Sequence, residues 1–404
     1  MAAEANATFG TQPLVAAGAV RNAGLSGGMC GYYDVYADGS TSGGTLATDV
    51  LSLGAVTLPV LFGCETEASG NIYNEELDGI MGLGLGDQSV VTQLTANGAM
   101  ADAFAICLGP IGAEYNYAPL AAPWQSPAAA QAAALAASSV VGAIVFGQLA
   151  LDASADVLWS PMVRSVACWT SYLVTVTAIS VGSTNIAAYS QLSPFEMQGQ
   201  YASRCGGTIL DSGSSFMYVP TQALQALTAA IRASLSSGAR EGPCPGAALG
   251  SGASNATCYA IPPSASGDVS GYFPLLTVSL GGGATLAVHP DNYLFPLGAG
   301  WPGIYVLGVY DSGGDGAVLG AITLANTLVV FDRANSRVGF HNGTVDCAAF
   351  AATSTAVPEP PPSPRSRIVD PLPVGAVFVI PPGALLILVG GALTGFFLGW
   401  LFEC

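Results

Sequence analysis

The chain has 404 residues, 51% of them apolar and only 9% charged, with a net charge of −17 and no lysine among its nine basic residues. That length suits two domains or one large bilobal one, with ample apolar material for a core. The acidic balance argues against nucleic acid as a partner, because nothing here could neutralise phosphates, and it suits work at acidic pH.

The first residues, "MAAEANATFGTQPLVAAGAV", hold an acidic residue and no apolar run, so no signal peptide is read there. Most of residues 30–347 reads as β: short runs such as "YLVTVTAISVG" and "NTLVVFD" alternate with Gly-rich turns. Two stretches carry helical spacing, residues 89–98 and 221–238, the second with Leu224, Leu227 and Ile231 on one face and a glycine stop. Residues 110–140 are an Ala/Pro-rich insertion expected to be a surface loop. The glycine runs at 82–86 and 281–283 are not phosphate loops, since no Gly-Lys-Ser/Thr follows.

Nine cysteines (30, 64, 107, 168, 205, 244, 258, 347 and 404) are dispersed without CxxC or CxxH spacing, which argues against a zinc site. Scattered cysteines fit disulfides in an oxidising compartment, and sequons at Asn6, Asn255 and Asn342 agree with that. His289 and His341 read as surface or core histidines, and two histidines so placed support no Ser-His-Asp constellation.

A Pro-rich stalk at 348–373 ends the globular part, and residues 383–402 then run for twenty positions without a charge, enough to cross a bilayer as a helix. Arg365 and Arg367 precede this run and no basic residue follows, so the positive-inside rule would put the stalk in the cytoplasm, against the disulfides and sequons. A GPI-attachment signal is the other reading, with small residues near Ala352–Ser354.

The chemistry concentrates in "GGTILDSGSSFMYVP", residues 206–220. An apolar strand runs into Asp211, then Ser212, Gly213 and Ser214. Glycine lets the backbone turn closely, and the hydroxyls, Ser215 included, can hold the carboxylate. Two such carboxylates facing each other share a proton and titrate as a pair. One then takes a proton from water while the other protonates a scissile carbonyl. Asp311-Ser312-Gly313 repeats the tripeptide, but the Gly314-Asp315-Gly316 that follows reads as a hairpin turn, so Asp311 is expected to be structural.

From residue 30 to 347 the chain resembles the pepsin-like aspartic proteases of the plant and algal type. "YYDVYADGSTSGGTLATDVLSLG" is similar to the family's flap hairpin, with Tyr36 at the flap tyrosine. "FGCETEASGNIYNEELDGIMGLGLGDQSVVTQL" resembles the segment whose Ile80-Met81-Gly82 supports the first catalytic loop. "GGTILDSGSSFMYVP" matches the second catalytic loop, and "AVLGAITLANTLVVFDRANSRVGF" its support, with Val318-Leu319-Gly320. The resemblance implies a mainly β, bilobal pepsin-like fold, no cofactor or metal, and a peptide or protein substrate. Cys244 and Cys258 are expected in or beside one disulfide of the second lobe.

The departure lies at the front. In this family the first Asp-Thr/Ser-Gly stands well before the flap, yet only 35 residues precede Tyr36 and the first aspartate is Asp34, within the flap. The expectation is therefore a chain lacking its N-terminal part, with an incomplete first lobe and Cys30 deprived of its partner. The organisation expected is a partial N-terminal lobe with flap at 1–165, a C-terminal lobe with catalytic loop at 166–347, the linker at 348–373, and a transmembrane or GPI-signal tail at 374–404. Three functions follow. The first is a membrane-anchored aspartic endopeptidase of the secretory pathway, its globular part lumenal or extracellular, inactive as written. The second is a non-catalytic homologue that binds peptides or proteins at the cell surface. The third is a homodimer pairing two copies of Asp211.

Overall fold

The computed structural model describes residues 31–36, 40–53, 56–70, 79–109, 142–147, 156–165, 168–186, 207–245, 256–262, 269–297, 301–312, 317–347, 350, 377–380 and 386–388. The expected surface loop at 110–140 and the cysteines at 30, 205 and 404 lie outside these residues.

Alternating side chains set many of the strands. Leu276–Leu280 (LTVSL) and Thr285–Val288 (TLAV) each bury every second residue, so one face packs on the core and the other stays half-open. Between them Gly282 and Gly283 take φ of 78° and 88°, backbone that side chains with a Cβ rarely adopt. Val176–Val181 and Thr184–Asn185 extend this hairpin into a four-stranded sheet.

Other runs are apolar almost throughout and are buried on both faces: AFAICL (Ala103–Leu108), GAIVF (Gly142–Phe146) and LVVFD (Leu328–Asp332). Such runs belong in the middle of a sheet covered on both sides. They form the centre of a six-stranded antiparallel sheet in the order 377–380, 142–146, 103–108, 328–332, 337–341, 157–161. Strands from both expected lobes thus share one sheet. At its heart Phe104 stacks on Phe331 with centroids 4.6 Å apart, and Tyr172 meets Phe104 edge-on at 5.8 Å.

Tyr172 is fully buried and donates its hydroxyl to the Leu83 carbonyl at 2.8 Å. Burial pushes its pKa well above the usual tyrosine range, so the group stays a neutral donor. Tyr172→Phe leaves that buried carbonyl without this donor, and is expected to lower stability by about 1–3 kcal/mol in urea unfolding. An unchanged urea midpoint would show that the bond contributes nothing.

The two helices expected from spacing are present as Val90–Ala96 and Thr221–Ser234. Leu227 and Ile231 are buried as their spacing requires, while Leu224 packs half-buried at the rim. The second helix stops at Ser234, four residues before the glycine taken as its stop. Cys244 and Cys258 are bonded as expected, closing the hairpin of Arg240–Pro243 with Thr257–Ala260. Cys107 and Cys347, 240 residues apart, tie the six-stranded sheet to the end of the second lobe, and Cys64 and Cys168 each take part in a disulfide as well.

The tripeptide expected as a hairpin turn, Gly314-Asp315-Gly316, lies outside the described residues, and the strands on either side, Val309–Asp311 and Val318–Leu319, both pair with Met217–Val219 on its opposite edges rather than with each other. A turn-like sequence fixes a change of direction, not the partner that the next strand will choose. Of the tail expected at 374–404, residues 374–376, 381–385 and 389–404 lie outside the described residues, and the seven that are described form two strands. Val377–Ile380 pairs antiparallel with Gly142–Phe146, and Leu386–Leu388 pairs parallel with Ile80–Gly82. The β-branched and aromatic run VFVI favours a strand, and Pro381-Pro382 after it would break a helix. No described helix is long and apolar enough to cross a membrane.

Candidate active site

Strand Thr208–Leu210 (TIL) is wholly buried between two neighbours. Tyr172–Val174 lies antiparallel on one side, and Val318–Leu319 parallel on the other, with Ile209 opposite Val318 and Leu210 opposite Leu319. The Asp211 amide continues the ladder by donating to the Leu319 carbonyl at 3.1 Å. The chain then leaves the strand, and the Ser214 amide donates back to the Asp211 carbonyl at 3.2 Å to close the turn.

This turn aims donors at one side chain. The Gly213 amide donates to Asp211 Oδ1 at 3.0 Å and the Ser214 hydroxyl to Oδ2 at 2.7 Å. Asp211 is half-buried. Bonded at both oxygens, its carboxylate is fixed in orientation while part of it stays open to a reactant. Ser212 is half-buried beside it and Ser215 is exposed. Of the three hydroxyls expected to hold the carboxylate, that of Ser214 donates to it.

The loop is locked from below. Carbonyls of Ser214 and Ser215 accept from the amides of Ala321 and Ile322 at 2.7 and 3.2 Å. The loop backbone crosses directly over Gly320, where an added Cβ would stand 2.0 Å from the Phe216 carbonyl oxygen and 2.5 Å from that of Ser214. Glycine is there for space, since its φ of −77° suits any residue. The resemblance pointed to Val318-Leu319-Gly320 as support, and the contact bears that placement out. The amides of Ala321 and Ile322 were missed, because a backbone donor carries no side-chain signature.

Tyr36 belongs to a different element. Gly31–Val35 pairs antiparallel with the start of Thr41–Leu53, and the Tyr36 amide donates to the Ser40 carbonyl at 2.8 Å to close the hairpin tip. Asp34, the first aspartate of the chain, is buried in this hairpin in register with Ser42. Asp311 accepts from Thr221 Oγ1 at 2.8 Å, where the 221–234 helix begins, the structural role expected of it. His289 bonds Thr344 Oγ1 at 3.1 Å, and His341 Nδ1 lies 3.4 Å from the Gly343 carbonyl oxygen.

Models of the xylanase inhibitor N-terminal and C-terminal domains match residues 13–117 and 171–342, together well over half of the chain. The protein Aspartic Protease in Guard Cell 2 of Arabidopsis thaliana is 27% identical over 80% of this chain and 58% of its own length. Aspartic proteinase nepenthesin-1 of Nepenthes gracilis is 25% identical over 80% of this chain and 62% of its own. The chain belongs to the plant-type pepsin-like aspartic protease family. It spans about three fifths of the length of the curated aspartic proteases that it matches. The fold of the family is seen again in solved structures. Basic 7S globulin from soybean superposes with a TM-score of 0.55 at 23% identity, covering 79% of this chain and 75% of its own. Conglutin gamma from lupine seeds does so with 0.53 at 21%, covering 79% and 74%.

Proposed function

We propose that the 211–214 loop is one half of an aspartic dyad for the hydrolysis of peptide or protein substrates, and that these 404 residues carry that half alone. The supporting observation is the Asp211 carboxylate, bonded by Gly213 and Ser214 in a loop locked over Gly320. In a complete dyad one carboxylate takes a proton from water, and the resulting hydroxide attacks the carbonyl carbon. The protonated partner gives its proton to the carbonyl oxygen. The tetrahedral carbon then collapses, the C–N bond breaks and the amine leaves with a proton. Asp211 can play either part; it cannot play both at once.

A lumenal or extracellular setting is supported by the disulfides at Cys107–Cys347 and Cys244–Cys258 and by the exposed sequon residue Asn342. Anchoring through 383–402 as a helix would require Leu386–Leu388 to leave Ile80–Gly82.

The test compares the 404-residue chain with a form extended by an upstream Asp-Thr/Ser-Gly segment from a related plant enzyme. The chain alone is expected to show no acid peptidase activity above background. The extended form should be active, pepstatin-sensitive and reduced roughly 10²–10⁴-fold by Asp211→Asn, the range one acid–base group contributes. Activity that survives Asp211→Asn would refute the assignment. Activity of the chain alone, lost on Asp211→Asn, would favour a homodimer.

A further inference from the structure

The two lobes hold related strand pairs. In the second lobe the apolar-apolar-Gly segment Val318-Leu319-Gly320 runs parallel to Thr208–Leu210, the strand that delivers Asp211. In the first lobe the same kind of segment, Ile80-Met81-Gly82, is buried at all three residues. Its backbone also needs a partner, since buried N–H and C=O groups are costly to leave unpaired. That partner is Leu386–Leu388, again parallel, with Leu386 opposite Ile80, Ile387 opposite Met81 and Leu388 opposite Gly82.

A second vacancy lies nearby. Gly142–Phe146 is buried throughout and has Ala103–Leu108 on one edge. Its other edge would present unpaired donors and acceptors, a template for aggregation. Val377–Ile380 covers it over four residue pairs, from Gly142↔Ile380 to Val145↔Val377. Each vacancy is thus closed by an apolar piece of the same tail. The Pro-rich linker of 348–373 has ample reach to bring it there, at roughly 3.3 Å per extended residue.

From these pairings we infer that Val377–Ile380 and Leu386–Leu388 are internal donor strands that complete the first lobe. The placement stands on strand pairing and does not depend on the catalytic reading. It carries a consequence for the cleft. Superposing the two glycines, Gly82 on Gly320, superposes the ladders: Leu386 falls on Ile209, Ile387 on Leu210 and Leu388 on Asp211. The sequence that follows keeps the spacing, with Gly390 where the second lobe has Gly213. The tail therefore fills the slot of a catalytic strand and puts a leucine at the register position of the second carboxylate. A strand bearing that carboxylate and this tail would compete for one place.

Hydrogen exchange on the whole 404-residue chain in detergent-free buffer decides the placement. Amides of 377–380 and 386–388 are expected to exchange roughly 10²-fold or more slowly than in an unstructured peptide of the same sequence, together with those of 80–82 and 142–146. Exchange at the free-peptide rate would overturn the inference, as would protection that arises only on adding phosphatidylcholine vesicles. A second measurement uses Ile144→Cys with Phe378→Cys, opposed residues of the covered edge. Directly opposed strand residues lie within disulfide reach, so peptide mapping should find a new disulfide between positions 144 and 378 in the folded double variant. Its absence from a folded double variant would also overturn the placement.

Discussion

Leu388→Asp is expected to raise the acid peptidase activity of the 404-residue chain from background by roughly 10²-fold or more, the contribution of one positioned acid–base group. The register places residue 388 opposite Gly82 as the second lobe places Asp211 one step beyond Leu210 and Leu319. A carboxyl at that register position would give Asp211 the partner with which to share a proton. Three controls make the result specific. Leu388→Asp with Asp211→Asn should return to background, because a lone carboxyl at either position lacks its partner. Leu386→Asp, two residues back along the same strand, should give no gain. Leu388→Asn, close in shape but unable to ionise, should give none either. Peptide hydrolysis at acidic pH, with circular dichroism to establish that each variant is folded, reads the outcome. A folded, inactive Leu388→Asp would show that the ladders of the two lobes are not equivalent at this position.

Gly320→Ala is expected to destabilise the protein by about 3 kcal/mol or more, the upper end of overpacking costs in a close-packed interior. Its methyl would meet two backbone oxygens, 2.0 Å away on Phe216 and 2.5 Å away on Ser214. Neither is the end of a flexible side chain, so the catalytic loop itself must shift. That shift pulls on the bonds from Ala321 and Ile322 to Ser214 and Ser215, and through Ser214 on the orientation of the Asp211 carboxylate. Gly242→Ala is the matched control, since a Cβ there meets nothing within 4 Å, and it should leave the urea midpoint close to that of the parent chain. Equal midpoints for the two variants would show that the loop crosses Gly320 with more room than the backbone geometry gives it.

Much of the molecule was legible as local pattern. Short apolar runs such as YLVTVTAISVG and NTLVVFD marked strands, and the spacing of apolar residues marked both helices. Asp-Ser-Gly-Ser after an apolar strand marked the site, and its bonds within the tetrapeptide, from Gly213 and Ser214 to Asp211, are local enough to be foreseen. What failed was partner choice. Gly314-Asp315-Gly316 resembled a hairpin turn, yet the strands on either side took opposite edges of a third. Hydropathy marked the tail as apolar but is silent on what receives it, so the pairing of Leu386–Leu388 with Ile80–Gly82 could not be read from it. Tyr172 gave no hint of Leu83, 89 residues away.

The sequence by itself determined the strands and helices, the turn that carries Asp211 and the donors that hold its carboxylate, because each depends on residues a few positions apart. Only the tertiary structure decided which strand lies beside which, that Gly320 must stay bare under the loop, and that Leu386–Leu388 lies along Ile80–Gly82. Those outcomes depend on backbone edges left open elsewhere in the fold, and a buried edge takes whichever strand can satisfy its hydrogen bonds, however distant in the chain.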